Sequence, residues 1–221
     1  PNGQVNAVAD QTLCNGDSTL AVTFATTNTG SGTTTYNWTN DNTTIGLAAS
    51  GTGDISSFTA TSSAVAPIVG NITVTPVYEN NGVSCTGTTE TFSITVNPSP
   101  LVNFSEADQV ITSGETTTAV DLTSPTTGVT FAWTVSVPTG ITGVTTLTGT
   151  DNIPAETLIN STTAPLDVVY TAIATGDIGF DCEGLPTLYT VTVNPQAQVN
   201  PVDDQVVCND ENLIIEFSTI V

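Results

Sequence analysis

The chain has no lysine, no arginine and no histidine among its 221 residues, although it carries 21 aspartates and glutamates. An ordinary protein is about a quarter charged, with both signs present. Without cationic side chains there is no clamp for phosphate groups, no footprint for nucleic acid and no attraction to anionic lipid. Without lysine there is neither a Schiff base nor a lysine–asparagine isopeptide cross-link. We therefore expect no nucleic-acid partner.

The lack of histidine removes the imidazole base, the commonest zinc ligand and the switch near neutral pH. A cysteine nucleophile would then have no imidazole to activate it. Paired carboxylates for glycoside hydrolysis need one raised pKa in a cleft, and no spacing in the sequence marks such a pair. We predict that the chain is not an enzyme and holds no cofactor.

A run of about 18 apolar residues, the minimum for a membrane-spanning helix, is also missing, as is a charged leader. We therefore expect no direct membrane insertion by these residues. High net charge often accompanies disorder, but 38% of the residues are hydrophobic and they alternate regularly with polar ones. The acidic groups are expected on a folded surface.

What the sequence does contain is internal repetition with a period of about 97 residues. The stretch VNAVADQTLCNG at Val5 returns as VNPVDDQVVCND at Val199, and the same Asp-Gln pair stands between them at Asp108. TYNWTN with Trp38 returns as TFAWTV with Trp133, and FSITVNP returns as YTVTVNP. The chain is thus a tandem array.

Three repeats follow from this period, each long enough to bury its own core except the last. We predict repeat 1 over residues 1–98, repeat 2 over residues 99–195, and the first strands of a truncated repeat 3 over residues 196–221. The boundaries fall near Pro98 and Pro195 because proline suits a linker better than a central strand. ENLIIEFSTIV stops inside a predicted strand, so we interpret the chain as part of a longer protein.

Each repeat is predicted to consist of strands alone. Apolar residues alternate with polar ones in STLAVTF, TTYNWTN, GNITVTP and TFSITVN, and turn signals such as CNGD, ASGTGD and ENNG separate these stretches. About seven short strands in about 97 residues, with tryptophan in the third, indicate an all-β, immunoglobulin-like β-sandwich. Trp38 and Trp133 are predicted core anchors, in preference to a platform for sugars, because they alternate with other apolar residues.

Repeat 1 contains the stretches VADQTLCNGDST, NWTNDNTTIGLAASGTGDISSFTAT and ITVTPVYENNGVSCTGTTETFSITVNP. In these stretches it resembles the PKD-like repeats of giant, acidic surface adhesins that gliding bacteria export by type IX secretion. Repeat 2 keeps the frame in ADQVITSGETT, FAWTV, GTDNIPAETL and CEGLPTLYTVTVNP, with Thr112 in the place of Cys14. The resemblance implies an extracellular stalk or adhesin segment on the cell surface, serving adhesion and gliding motility.

Four cysteines, at positions 14, 85, 182 and 208, are expected to form disulfides in a secreted β protein. One scheme joins Cys14 to Cys85 within repeat 1, and the other joins Cys182 to Cys208 across the second boundary. Residues 182 to 208 would run nearly collinearly in a linear array, over tens of Å at about 3.3 Å per residue, whereas bridged Cα atoms lie about 5.5 Å apart. We therefore predict a Cys14–Cys85 disulfide.

Carboxylates are the remaining chemistry. Asp41 after Trp38, and Asp203 and Asp204 at the second boundary, offer the hard oxygen ligands that calcium takes. No spaced Asp-x-Asp-x-Asp loop surrounds them, so a solvated acidic face is the favoured interpretation and calcium the alternative.

The leading functional hypothesis is a structural spacer in a long surface adhesin, whose partners are the neighbouring repeats of its own chain. Surface glycans and the secretion or motility machinery would then contact other regions of that protein. Two alternatives stay open: a sandwich module that binds calcium or a glycan, and an accessory region of a secreted hydrolase.

Overall fold

The computed structural model describes residues 1–176, 181–209 and 212–219. Within these ranges the regular structure is β, apart from a 3-10 turn at Thr43–Ile45, and no helix is long and apolar enough to cross a membrane. The strands are β1 Gln11–Cys14, β2 Thr33–Asn40, β3 Ser50–Thr52, β4 Ile68–Asn80, β5 Val83–Thr86, β6 Glu90–Asn97, β7 Asn103–Phe104, β8 Gln109–Thr112, β9 Leu122–Thr123, β10 Val129–Ser136, β11 Ile141–Thr142, β12 Thr148–Gly149, β13 Ile159–Asn160, β14 Leu166–Gly176 and β15 Thr187–Asn194. The predicted all-β class is confirmed.

The strands form where apolar residues alternate with threonine and other β-branched polar residues. In β2 the side chains of Tyr36, Trp38 and Asn40 are buried, whereas the intervening residues face solvent. The same period of two runs through β4, β6, β14 and β15. One face of each sheet is therefore available to form a core.

The chain divides into two compact units. The first comprises Pro1–Leu101, Ser124–Thr130 and Ala174–Leu185, and the second comprises Val102–Thr123, Phe131–Ile173 and Pro186–Val221. The predicted strand ENLIIEFSTIV of repeat 3 includes residues 211, 220 and 221, which lie outside the described residues.

One sheet of the first unit has the strand order β1-β6-β4-β2-β3, with β5 paired to β4. The opposing layer is formed by two extended segments that meet at the bridges Ser18 to Thr59 and Val22 to Ile55. A single apolar cluster fills the space between the layers: Val22, Phe24, Tyr36, Trp38, Ile45, Leu47, Ile55, Ala60, Ile72, Val74, Phe92, Ile94 and Val96.

A second sheet has the strand order β12-β10-β14-β15-β8, and the pairs β11-β13 and β7-β9 stand apart from it. In the second unit the bridges Thr116 to Thr157 and Val120 to Ile153 form the opposing layer, as their counterparts do in the first. Each sheet also pairs its first strand in parallel with its last, Gln11 with Ile94 and Gln109 with Val191. The architecture is an immunoglobulin-like, PKD-like β-sandwich, as predicted.

The registers of the two sheets establish which residues are equivalent. Gly70 of β4 pairs with Ile94 of β6, and Val168 of β14 pairs with Val191 of β15. Equivalent residues of β6 and β15 are thus about 97 positions apart in the sequence, whereas those of β4 and β14 are about 98 apart. A single fixed period therefore misaligns one of the two pairs by one residue.

The hairpin between β4 and β5 is closed by Asn81 and Gly82, whose φ angles of 50° and 78° are both left-handed. A two-residue turn with positive φ at both positions matches the right-handed twist of the strands, and asparagine followed by glycine adopts it most readily. The predicted turn at ENNG is therefore present.

Candidate functional site

A disulfide joins Cys14 to Cys182, with the two Cα atoms 5.6 Å apart. Cys14 is the last residue of β1 and pairs with Asn97 at the end of β6. Cys182 follows β14, and its carbonyl accepts a hydrogen bond of 2.9 Å from the amide of Gly176. Both cysteines belong to the first unit, although they come from repeat 1 and repeat 2 of the sequence.

The predicted Cys14–Cys85 pairing is wrong, because the two residues stand at opposite ends of the same sheet. Cys14 pairs with Asn97, next to the start of β4 at Ile68, whereas Cys85 pairs with Tyr78 near the other end of β4. About ten residues of strand lie between, or about 30 Å at about 3.3 Å per residue, far beyond the reach of a disulfide.

The alternative pairing of Cys182 with Cys208 is also wrong, since the sulfur of Cys182 is bonded to Cys14. Cys182 is 2% exposed, whereas Cys85 is partly exposed with a free thiol and Cys208 is exposed. The sequence predicted a bond within repeat 1 or a bond between Cys182 and Cys208. The observed bond instead joins the first strand of repeat 1 to the hairpin of repeat 2.

The three calcium candidates do not come together with other ligands. Asp41 accepts hydrogen bonds from Asn71, at 2.8 Å from its side-chain amide and 2.7 Å from its backbone amide. Asp203 and Asp204 are exposed and outside any strand. Over the described ranges, no group of three or more acidic or cysteine side chains could hold a metal ion.

The pKa of the Asp41 carboxyl lies below its usual value, chiefly because the Asn71 side chain donates to the charged form and also because the Asn71 backbone amide does. In an Asn71→Ala variant we expect this pKa to rise but to stay below the usual value, since the backbone donor remains. NMR titration of the carboxyl carbon measures the change. Asn37→Ala, on the exposed side of β2, is the matched control, and an equal rise there would contradict the assignment.

The repeated Asp-Gln pair has a structural role that the sequence does not reveal. Asp10 accepts a hydrogen bond of 2.6 Å from the amide of Ser93, and Asp108 accepts one of 2.9 Å from the amide of Thr190. Each aspartate therefore binds the last strand of its own sheet, β6 or β15. The carboxylate extends the parallel pairing just before β1 or β8 begins.

The glutamines that follow bind the returning chain with both ends of the side-chain amide. Gln11 accepts from the amide of Leu20 at 2.8 Å and donates to its carbonyl at 3.1 Å. Gln109 does the same with Thr118, at 2.9 Å and 3.0 Å. In the truncated repeat 3, Gln205 donates to the carbonyl of Ile214 at 3.5 Å. We call this two-point contact the glutamine clamp.

Replacing Gln11 by alanine is expected to lower the free energy of unfolding of the first unit by about 1–2 kcal/mol, because two hydrogen bonds between the side chain and the backbone of Leu20 are lost near the surface. Gln109→Ala is expected to have a larger effect on the second unit, because Gln109 also donates to the hydroxyl of the buried Tyr189. Urea unfolding followed by hydrogen exchange of β6 and β15 separates the two effects. Gln198→Ala, an exposed residue outside the strands of the second unit, is the control, and a loss there as large as at Gln109 would argue against the clamp.

Trp38 is 7% exposed and Trp133 is 3% exposed, so both indoles lie in the interior. A glycine underlies each ring, Gly51 beneath Trp38 and Gly149 beneath Trp133, and a Cβ at either position would collide with the indole. The Nε1 atoms differ: that of Trp133 donates to the carbonyl of Asp151 at 2.7 Å, whereas that of Trp38 is buried without an acceptor among the described residues.

Glu156 is a buried carboxylate that sequence reasoning missed, being only 4% exposed. It accepts hydrogen bonds of 3.1 Å and 2.9 Å from the amide and hydroxyl of Thr145. Its charge adds to burial, the larger cause, in raising the pKa of Tyr170 to about 12. An alignment of the repeats by structure places Glu156 where repeat 1 has the apolar Phe58. An apolar residue at the equivalent position is the signal that predicts burial there.

None of five surface depressions in the described part of the chain is lined by two carboxylates. One of about 480 Å³ in the second unit is lined by uncharged residues: Ser113, Ile159, Asn160, Ser161, Thr162, Thr163, Gln196 and Gln198. Another of about 370 Å³ in the first unit contains a single acid, Glu79. These surfaces supply hydrogen-bonding groups but no acid–base pair.

Solved structures of several multi-domain chains are similar in fold. Mouse cadherin-23 EC22-24 is 10% identical with a TM-score of 0.41, and covers 87% of this chain and 64% of its own. Drosophila N-cadherin EC1-4 is 12% identical with a TM-score of 0.47, covering 89% and 50%. The titin I-band fragment I67–I69 is 11% identical with a TM-score of 0.39, covering 88% and 66%. This chain thus spans less than two thirds of the cadherin structures.

No curated protein sequence matches this chain. A family model does match: residues 108–197 fit the model described as a PKD-like domain. The match begins at Asp108, the aspartate that binds β15, and ends just after that strand. Residues 108–197 are therefore similar to a PKD-like domain.

Proposed function

We propose that the chain is a structural spacer in a long, repetitive and acidic cell-surface adhesin that serves adhesion and gliding motility. Each sandwich adds length, and ligand binding takes place in other regions of that protein. The repeats 1–98, 99–195 and 196–221, with boundaries near Pro98 and Pro195, are part of the same proposal.

The observation that carries the proposal is the Cys14–Cys182 disulfide, which bonds residues from successive sequence repeats over a separation of 168 residues. Structural disulfides persist in oxidising compartments, which supports a position outside the cell. Because both cysteines belong to the first unit, the bond also fastens the distant segment around Cys182 to that unit when the chain is under load, which a spacer requires.

Charge supports the same role. The 21 acidic side chains have no basic side chain to pair with, so successive repeats repel one another. This repulsion is screened beyond about 10 Å at 0.1 M salt, so it favours extension most strongly in dilute media.

The bridge limits how far the chain can be drawn out. When the ends are pulled in a single-molecule experiment, the disulfide is expected to carry the force. The segment between the two cysteines, whose sequence separation is 168, is therefore expected to bear none and not to be extended. Reduction is expected to add about 550–600 Å of contour length, at about 3.3–3.6 Å per residue. Equal contour lengths with and without reductant would show that the bond carries no load.

The functional test compares length with sequence in the surface protein that carries this chain. Replacing the segment by unrelated immunoglobulin-like sandwiches of equal number is expected to preserve adhesion and the projection seen by electron microscopy. Deleting the segment is expected to shorten the projection while leaving surface display intact. If the equal-length replacement abolished adhesion, or if calcium or a glycan array bound the purified chain tightly, the segment would contain a ligand site and the spacer proposal would fail.

A further inference from the structure

Cys85 and Cys182 occupy the same position in two hairpins. Cys85 pairs with Tyr78 of β4, and the carbonyl of Cys182 accepts from the amide of Gly176 at the end of β14. Tyr78 and Gly176 are themselves equivalent in the registers of the two sheets. The two cysteines are therefore structural counterparts and not merely residues at a similar spacing.

The backbone continues in the same way after each cysteine. Two residues on, the amide of Gly87 donates to the carbonyl of Pro76 at 2.9 Å, and the amide of Gly184 donates to the carbonyl of Ala174 at 2.8 Å. Pro76 and Ala174 are again equivalent in register. Both hairpins therefore present their cysteine with the same local geometry.

Each hairpin also rests against the chain that enters its repeat. A Cβ on Gly87 would collide with the carbonyl oxygen of Gly3, and a Cβ on Gly184 would collide with that of Pro100. Gly3 further donates its amide to the carbonyl of Cys85 at 3.3 Å. Each hairpin is thus contacted by the chain that enters its repeat, and the hairpin of Cys182 is in addition bonded to Cys14.

We infer that Cys85 forms a second disulfide of this kind, in which it takes the place that Cys182 has in the Cys14–Cys182 bond. Its partner is the cysteine at the end of the first strand of another PKD-like repeat, placed before residue 1 as repeat 1 is placed before repeat 2. Cys14 of the same repeat cannot be that partner, since it is bonded to Cys182 and stands at the other end of the sheet. The inference rests on hairpin geometry and does not depend on the spacer role.

The bond forms by thiol–disulfide exchange with a disulfide oxidant such as oxidised glutathione. The two cysteine thiols lose two protons and two electrons and form one S–S bond, and the oxidant takes these up as two thiols. Cys85 meets the steric requirement for attack because it is partly exposed with a free thiol.

The second repeat cannot donate such a bond. Thr112 pairs with Asn194 at the end of β15, as Cys14 pairs with Asn97 at the end of β6. Repeat 2 therefore has threonine at the position from which Cys14 forms its disulfide. A repeat can therefore receive a cross-link through its hairpin without passing one on. Covalent bonding along the array is set repeat by repeat.

The test extends the chain by placing a copy of residues 1–97 in front of residue 1, with Cys85→Ser in the added copy. The added Cys14 then precedes the original Cys85 by 168 residues, the separation of the bridge already present. After refolding with oxidised glutathione and digestion without reduction, we expect a Cys14–Cys85 peptide beside the Cys14–Cys182 peptide. Alkylation of Cys85 by iodoacetamide, nearly complete in the original chain, is expected to fall to a small fraction.

The matched control carries Cys14→Thr in the added copy, which reproduces the threonine at the equivalent position of repeat 2. In that chain Cys85 is expected to remain fully alkylated. The inference is overturned if Cys85 stays alkylated, or is found only as a mixed disulfide with glutathione, in an extended chain whose Cys14–Cys182 bond has formed.

A second measurement needs no added repeat and so does not depend on the folding of a variant. The surface protein that carries this chain is isolated without reductant, alkylated and digested. We expect the Cys85 peptide to be disulfide-linked to a peptide from the end of a first strand. Recovery of Cys85 as an alkylated thiol would overturn the inference while leaving the spacer proposal untouched.

Discussion

Replacing Cys14 and Cys182 together by serine is expected to lower the melting temperature of the first unit by about 15–25 °C. The bond closes a loop with a sequence separation of 168 residues. In the chain-entropy account, closing such a loop destabilises the unfolded chain by about 5 kcal/mol. Each kcal/mol corresponds to about 3–5 °C for a unit whose size is intermediate between small and large domains. Differential scanning calorimetry measures the change.

Cys85→Ser is the matched control, because it removes a thiol from the same hairpin position of repeat 1 without touching the bond. Its melting temperature is expected to equal that of the unaltered chain. Adding reductant is expected to reproduce the loss in the unaltered chain and to change nothing in the double variant. Identical melting of the double variant and the unaltered chain would mean that the bond contributes no stability.

The strands and their buried faces were predictable because they depend on local alternation. In β2 the apolar side chains of Tyr36 and Trp38 stand two apart, and burial follows from that spacing alone. The turn at Asn81 and Gly82 was equally local, since both residues tolerate positive φ. For these elements the nearest few residues supply the whole physical argument.

The disulfide could not be predicted from such information. Choosing between Cys85 and Cys182 as the partner of Cys14 requires knowing at which end of the sheet each cysteine stands. That depends on the pairing of β4 with β5 and of β1 with β6, which are contacts between distant residues. Spacing along the chain showed that Cys85 and Cys182 were equivalent, but not which first strand each hairpin approaches.

Repetition also hides functional equivalence where one acceptor replaces another. A fixed period matches Asp54 with Asp151, but the structure puts Asn152 in the equivalent position. The Asp54 carboxylate accepts from the amide of Phe24 at 2.9 Å, and the Asn152 side-chain oxygen accepts from the amide of Leu122 at 3.1 Å. The carboxylate oxygen of Asp54 and the carboxamide oxygen of Asn152 accept equivalent hydrogen bonds. Matching identical residues therefore misaligns this part of the two repeats.

The two tryptophans allow the second large effect to be tested as a pair. Trp38→Ala and Trp133→Ala are each expected to cost about 3–5 kcal/mol in their own units, because a buried indole leaves a large cavity. Substitution by phenylalanine keeps most of the packing but removes the indole Nε1–H group. The two sites should then differ in stability according to whether that group was hydrogen-bonded. At Trp133 the change removes the 2.7 Å hydrogen bond to Asp151. At Trp38 it removes a buried N–H that has no acceptor among the described residues.

An unpaired buried donor costs about 1–3 kcal/mol, so its removal offsets part of the packing lost in Trp38→Phe. We therefore expect Trp133→Phe to destabilise the second unit by about 2 kcal/mol more than Trp38→Phe destabilises the first. Hydrogen exchange of β6 and β15 in urea reports on each unit. With only 2 tryptophans in the chain, the fluorescence of the one that remains monitors the unaltered unit and is expected to show an unchanged midpoint. If Trp38→Phe proved as costly as Trp133→Phe, the prediction would be wrong, and the indole nitrogen of Trp38 would have to be hydrogen-bonded as that of Trp133 is.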